Sequence, residues 1–487
     1  MKILKAQVLI TLFMEGSIFE MEKNNELVKE LKEKLLFSRK NAVYNMSEEE
    51  LAECDSFCED YKDFMDKAKI EREAVAYSIE LLKQNGYVEY KKGMKLNAGD
   101  KIYRNNRGKA VLMAIIGTAP IDEGVRLCAA HIDSPRLDLK QNPLYEDTEL
   151  ALFKTHYYGG IKKYQWTTIP LALHGVVCKA DGTSVNVSIG EDESDPVFCV
   201  TDLLPHLANT QMSKTLAKGI TGEQLNILIG SRPFKDDEES GAVKLNIMNI
   251  LFEKYGITEA DFISSELEAV PAFKARDIGF DRSMIGAYGH DDKVCAYPAL
   301  RATVDCKNPV HTVVTVLTDK EETGSDGNTG LCSAYLEYFI ADIAEALGSD
   351  GRTVLSASEC LSADVNAAFD PTFPDVNERN NCAYINRGVV VTKYTGARGK
   401  SGTSDASAEF TGRIRRLMDE KNVIWQTGEL GKVDEGGGGT VAAYIANLNV
   451  DTIDLGVPVL SMHAPYEIVS KIDTYMAYKA FMAFVED

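Results

Sequence analysis

The stretch Val313–Gly327, VVTVLTDKEETGSDG, limits what this chain can fold into more than any other. Val313 to Leu317 is a β-branched apolar run of the kind that forms a buried strand. Gly324, Ser325 and Gly327 then supply a turn. Between run and turn stand Asp319, Lys320, Glu321 and Glu322. Two adjacent carboxylates at the end of a buried strand are costly unless a cation meets them. One of them can hold a metal ion while the other reaches a water, which suits metal-assisted hydrolysis. A solvated acidic turn would use the same residues, so the reading depends on what else the chain supplies.

Four other places supply nitrogen and oxygen donors. His131–Ile132–Asp133 ends an apolar strand, and alternation puts His131 and Asp133 on one side, where the carboxylate can brace the imidazole. Gly289–His290–Asp291–Asp292–Lys293 precedes an expected helix, Ser362–Ala363–Asp364 follows an apolar stretch, and Ser461–Met462–His463 follows the run Thr452–Leu460. Each alone is weak: a lone histidine is more often a surface or core residue, and an Asp-Asp pair is often a helix cap. Together they put two histidines and several carboxylates near strand ends, where α/β sheets gather their sites. A donor set without thiolate suits zinc, manganese or cobalt.

At 487 residues the chain is long enough for two or three units, each with its own core. Its 74 acidic residues against 53 basic ones give a net charge of −21, which argues against a general nucleic-acid or anionic-membrane binder. The ten cysteines are scattered, mostly among apolar neighbours, and read as reduced core thiols of a cytoplasmic protein. Ala6–Met14 is a short apolar run behind two lysines. Glu15 follows at once with no small-residue cleavage site, so no signal peptide is read there, and the run is too short to span a bilayer. Met21 begins an amphipathic pattern, so residues 1–20 are read as a candidate artefact of the start codon.

Helical spacing covers Glu26–Lys40, a capping box at Ser47–Glu50 opens a second helix, and a third ends at Asn85–Gly86. Strands are expected at Lys101–Tyr103, Ala110–Ile116 and Arg126–Ile132. From about Asn142 the texture turns β-rich, with Pro170–Cys178, Ser184–Ile189 and Leu225–Ile229, acidic loops at Glu191–Asp195 and Asp236–Ser240, and a helix over Lys244–Lys254. After Glu266 strands and helices alternate: His311–Leu317, a helix from about Thr329 to Leu347, Arg352–Ser356 in the place of a strand, Ser404–Met418, Val423–Gln426, Asp451–Leu455 and a last helix Ser470–Val485. The alternation implies an α/β sandwich on a partly parallel sheet.

HIDSP (131–135), HDDK (290–293), DKEETGS (319–325), SADVN (362–366) and LSMHAPYE (460–467), in that order, resemble the aspartyl aminopeptidase / vacuolar aminopeptidase family of co-catalytic metallopeptidases. HYYGG (156–160), LLPHLA (203–208) and DEGGGGT (434–440) are lesser echoes. The resemblance implies a mixed-sheet α/β/α sandwich metallopeptidase domain, residues 1–141 and 262–487, with an inserted β-rich dimerisation domain at 142–261. It implies two zinc ions per subunit, with Mn or Co as alternatives. His131 and Asp364 would hold one ion, Glu322 and His463 the other, and Asp291 would bridge them. Glu321 would be the general base and Asp133 would orient His131. The implied substrates are peptides with a free N-terminus, and the implied assembly is a homo-oligomer, a tetrahedral dodecamer.

Three departures stand out. Asp292 occupies a position usually held by Asn, Asn209–Thr210 follow PHLA where Ile-His is frequent, and MHAPYE lacks the usual serine and arginine. An acidic substrate would need a cation in its pocket; Lys432 and then Lys393 are the candidates, though either reads equally as a solvent lysine. Gly436–Gly439 reads either as a close backbone approach to substrate or as a plain loop. A related deacylase or carboxypeptidase, or an inactive self-assembling scaffold, are the competing functions.

Overall fold

The computed structural model describes residues 26–37, 40–236 and 241–487. The apolar run 6–14, the position Met21 and all but Asp236 of the 236–240 loop lie outside them.

A nine-stranded sheet organises the molecule. Its centre is four adjacent parallel strands in the order Thr312–Thr318, Val125–His131, Glu359–Ser362 and Asp451–Gly456. Antiparallel neighbours flank them, Ala110–Ile115 on one side and Val389–Thr392 on the other. The strands are apolar on both faces because both faces are covered. Val111, Met113, Val313 and Leu317 pack with the helices Glu48–Lys67, Glu71–Gln84, His290–Asp305 and Lys471–Val485. The alternate residues Leu112, Ala114, Val314 and Val316 pack on the opposite side with Tyr335–Ala346 and Gly351–Ser356. The expected mixed α/β/α sandwich is the observed one.

Local chemistry sets the helix ends. Ser47 Oγ accepts from Glu50 N–H and Glu50 answers to Ser47 N–H, both at 3.1 Å, completing the capping box. Ser470 caps Lys471–Val485 with its hydroxyl, which accepts from Ile472 and Asp473 N–H. Two expectations are corrected. The helix expected from Thr329 begins at Tyr335, because Thr329 instead donates its hydroxyl to Asp319, at 2.6 Å, and holds a turn. Arg352–Ser356 is the end of a short helix, Gly351–Ser356, capped by the Asp350 side chain; the strand follows at Glu359–Ser362.

A separate seven-stranded antiparallel sheet is built from one continuous stretch of chain and has its own apolar cluster around Trp166, Phe153 and Phe262. It takes in Arg136–Asp147 and Ser265–Pro271, so it reaches beyond 142–261 on both sides. The composition gives no sign of this, since HIDSPRLDLK reads as a single strand, whereas backbone pairing stops at His131 and resumes in the other sheet at Arg136. A third sheet of five short strands includes Met284–Ala287, Glu467–Ser470 and Pro458–Leu460.

Candidate metal centre

The carboxyl ends of the four parallel strands converge. Thr312–Thr318 runs into Glu321 and Glu322, Val125–His131 ends on His131 itself, and Glu359–Ser362 delivers Asp364. Asp451–Gly456 leads, through Pro458–Leu460, to His463. Asp291 enters from the third sheet, at the start of the helix His290–Asp305. One edge of the sheet thus gathers residues more than 300 positions apart.

Asp291 is the hub. Its Oδ1 lies 3.2 Å from His131 Nε2 and its Oδ2 lies 3.1 Å from His463 Nε2. Asp364 Oδ1 and Glu321 Oε2 are each 3.9 Å from His131 Nε2, and Glu322 Oε2 is 3.5 Å from His463 Nε2. Three donor groups result, His131–Asp291–Asp364, Asp291–Glu322–His463 and His131–Glu321–Glu322, and the first two share Asp291.

The tautomers point the same way. His131 Nδ1 donates to the Asp133 carbonyl at 3.0 Å, and His463 Nδ1 donates to the Gly160 carbonyl at 2.7 Å. A carbonyl only accepts, so each Nδ1 carries a proton, and in the neutral ring each Nε2 turns a lone pair toward the Asp291 carboxylate. His131 Nε2, Asp291 Oδ1 and Glu322 Oε1 are buried without a hydrogen-bond partner. Across gaps of 3.1–3.2 Å each Nε2 and the carboxylate oxygen facing it need positive charge between them, a proton on the ring or a metal ion. Nitrogen and carboxylate donors without thiolate fit zinc.

Electrostatics agrees. Burial, reinforced by the charges of Asp133 and Asp291 and opposed by His131, pushes the Glu321 carboxyl up to about 7. Burial and the Asp291 charge push Glu322 well up, and burial with the charges of Glu321 and Asp291 does the same to Asp364. Burial disfavours a charged His463, yet the bond to Asp291 and the charge of Glu322 outweigh it and raise the ring to about 10. Four carboxylates crowded about two imidazoles are at rest only with added positive charge.

The frame around these groups is itself bonded. Asp133 Oδ1 lies 3.3 Å from His131 Nδ1, whose hydrogen bond goes to the Asp133 carbonyl, and the carboxylate oxygens accept from the backbone N–H of Glu321 at 3.1 Å and of Glu322 at 3.2 Å and from the Tyr158 hydroxyl at 2.8 Å. Asp133 therefore fixes the turn that presents both glutamates. Asp292 accepts from His131 N–H at 3.3 Å and stands outside all three donor groups. Three residues were not legible as part of the site. Glu467 accepts from His463 N–H at 2.6 Å and from Asp291 N–H at 3.1 Å. Lys293 donates to Ser134 Oγ, which donates to the Asp291 carbonyl. Tyr158 holds Asp133, and the glycines after it explain HYYGG: a Cβ on Gly159 would come within 3.1 Å of Glu322 Oε2.

The lysines proposed for an acidic pocket are not among these groups. Lys393 pairs with Asp405 at 2.6 Å, and Lys432 is exposed on its loop. Gly436 and Gly437 are packed backbone to backbone, since a Cβ there would strike the Leu430 and Gly396 carbonyls at 2.0 and 2.2 Å. The plain-loop reading of Gly436–Gly439 therefore accounts for the glycines.

Comparison with known proteins agrees with this geometry. Residues 64–485 match the model of the aminopeptidase I zinc metalloprotease (M18) family. A probable M18 family aminopeptidase 1 from Clostridium acetobutylicum is 52% identical over 461 residues, 93% of this chain and 99% of that protein. The crystal structure of an M18 aminopeptidase from Thermotoga maritima superposes with a TM-score of 0.89 at 44% identity, covering 92% of this chain and 99% of the other. The structure of the yeast mApe1 dodecamer shares the fold, with a TM-score of 0.71 at 22% identity over 88% of this chain and 95% of the other. The chain belongs to the M18 family of zinc metallopeptidases and is a metalloaminopeptidase.

Proposed function

We propose that this aminopeptidase works with two zinc ions per chain, one held by His131, Asp364 and Asp291 and the other by Glu322, His463 and Asp291. The observation that carries the proposal is Asp291, which directs one oxygen at each imidazole. Manganese or cobalt could occupy the same donors. Ions bound there supply Lewis acidity, which polarises a peptide carbonyl and acidifies water. The chain supplies the rest. Glu321, whose carboxyl burial raises to about 7, takes a proton from the attacking water and returns it to the leaving amine. Asp133 keeps Glu321 in reach by holding its backbone N–H.

The division into a metallopeptidase domain and a β-rich dimerisation domain belongs to the same reading. It is supported by Leu203, Leu204, Leu207, Met212 and Leu216, apolar side chains left more than half exposed on one stretch of the β-rich unit. A homo-oligomer covers such a surface, and a tetrahedral dodecamer is the form we propose. A cytoplasmic location fits the ten free thiols. Among the described residues no helix is long and apolar enough to cross a membrane.

The test is Glu321→Gln. With zinc content unchanged, turnover of unblocked aminoacyl substrates should fall by about 10²–10⁴-fold. N-acetylated substrates should not be cleaved by the native protein. Unchanged turnover in the variant would remove Glu321 from its role, and cleavage of blocked substrates would favour a deacylase.

A further inference from the structure

The strand Leu150–Tyr158 belongs to the seven-stranded antiparallel sheet, yet its end reaches the metal centre. Three consecutive residues there meet three groups of the site. The Tyr158 hydroxyl donates to Asp133 Oδ2 at 2.8 Å. A Cβ on Gly159 would crowd Glu322. The Gly160 carbonyl accepts from His463 Nδ1 at 2.7 Å.

Asp133 is wholly buried, and its charge is stable there only with donors around it. Its Oδ1 accepts from Glu321 N–H, and its Oδ2 accepts from Glu322 N–H and from the Tyr158 hydroxyl. The hydroxyl makes the shortest of these bonds and comes from outside the turn that carries the glutamates. It fixes the plane of the carboxylate. An Asp side chain is torsionally soft about its Cβ–Cγ bond, so without the hydroxyl the carboxylate can turn and the bond to Glu321 N–H loosens. The ring is seated as well. Arg136 stands opposite Tyr158 in the antiparallel pair, and its guanidinium lies 3.8 Å from the centre of the Tyr158 ring. Asp138 at 2.9 Å and Glu268 at 3.0 Å hold Arg136, and both lie on strands of the same sheet. A path of direct contacts thus runs from the antiparallel sheet to the turn: Glu268, Arg136, Tyr158, Asp133, Glu321.

We propose that Tyr158 is a positioning residue for the reaction, holding Glu321 in reach of the attacking water through Asp133, and that the antiparallel unit is thereby a working part of the catalytic centre and not only an oligomer surface. The inference rests on the general-base reading of Glu321. Ring and hydroxyl have separate duties: the ring, on Arg136, serves the fold, and the hydroxyl, on Asp133, serves the chemistry. A displacement of about 1 Å at a reacting group can cost about 100-fold in rate, so the loss of one fixing bond is measurable.

The test uses the zinc-loaded full chain with Tyr158→Phe, Tyr158→Leu and, as a control, Tyr157→Phe, which alters the neighbouring exposed ring. For each, kcat and KM with Leu- and Asp-aminomethylcoumarin, bound zinc and the unfolding temperature are measured. Tyr158→Phe should keep its zinc and hold KM within about twofold while kcat falls about 10–100-fold, the usual loss when a partner that orients a site residue is removed. Tyr158→Leu, which also empties the seat on Arg136, should lower kcat no further but should lower the unfolding temperature by more than Tyr158→Phe does. Tyr157→Phe should match the native protein. Native kcat in Tyr158→Phe, or a kcat loss confined to Tyr158→Leu and its lowered unfolding temperature, would make Tyr158 structural and overturn the inference. A loss of bound zinc with kcat per zinc unchanged would overturn it too. Glu321→Gln, run beside these, separates the two readings. Native turnover in that variant overturns the general-base assignment itself, whereas an inactive Glu321→Gln beside a fully active Tyr158→Phe overturns only the role of Tyr158.

Discussion

Asp291 has short contacts from two distant stretches of the chain, His131–Ser134 and His463–Glu467. Its two oxygens face two imidazoles, its N–H donates to Glu467, and its carbonyl accepts from Ser134. Glu467 binds the backbone of Asp291 and His463 together and is only 1% exposed. Glu467→Gln replaces one acceptor oxygen by an NH₂ group that opposes a backbone donor. We expect zinc affinity to fall about 10–100-fold, as for other partners that orient metal donors, with the fold retained. Zinc titration against a competing chelator measures it; unchanged affinity would show that the two backbone bonds do not hold the site. At this scale the sequence was informative where a donor ends a strand, as His131 and Glu322 do. It was silent on Glu467 and Tyr158, whose partners are backbone or carboxylate groups brought near only by folding. His290 shows the converse. It sits inside the HDDK motif yet is a satisfied core histidine, bonded to the Tyr61 hydroxyl at 2.7 Å and the Ile285 carbonyl at 3.1 Å.

At the scale of elements, one junction joins the two units by charge. His174 on the strand Leu171–Cys178 bonds Glu73 of the helix Glu71–Gln84 at 2.7 Å and Glu191 of an acidic loop at 3.1 Å. Burial disfavours the charged ring, but Glu191 and Glu73 outweigh it and hold His174 up at about 9. Burial likewise opposes Glu191, but bonds to His174 and the charge of Lys69 hold it down at about 2. The raised imidazole stabilises fully below its ordinary 6.5 and loses that effect as pH rises through about 9. The depressed carboxyl stabilises above its ordinary 4.5 and loses that effect as pH falls through about 2. The pair is therefore at full strength from about pH 4.5 to 6.5. The stability gap between native protein and His174→Gln in urea should be constant there and narrow toward pH 9. A gap that widens with rising pH would contradict the assignment. Elements themselves were legible where the pattern is strong, as in the β-branched core strands and the Ser47 capping box. The start of the helix Tyr335–Ala346 was not: the turn at Thr329 depends on Asp319, and no local spacing announces that bond.

At the scale of the whole molecule, the parallel order of four strands brings four of the five motifs together, and Asp291 joins them from the third sheet. That order was not legible, because Val125–His131 takes neighbours from residues 312–318 and 359–362, far along the chain. The unbalanced carboxylates at their ends should make stability depend on metal. Exhaustive chelation should lower the unfolding temperature, and zinc should restore it, with about 2.7 kcal/mol of stabilisation at a free zinc concentration 100 times Kd. An unfolding temperature indifferent to zinc would mean that the donor groups are not coupled to the fold.

The shared Asp291 carboxylate is the centre of the account. The most direct test is the anomalous difference map of zinc-loaded crystals at the zinc absorption edge. Two peaks should appear, one beside each oxygen of Asp291, with His131 and Asp364 on one side and His463 and Glu322 on the other. A single peak, or peaks that leave Asp291 unbound, would contradict it.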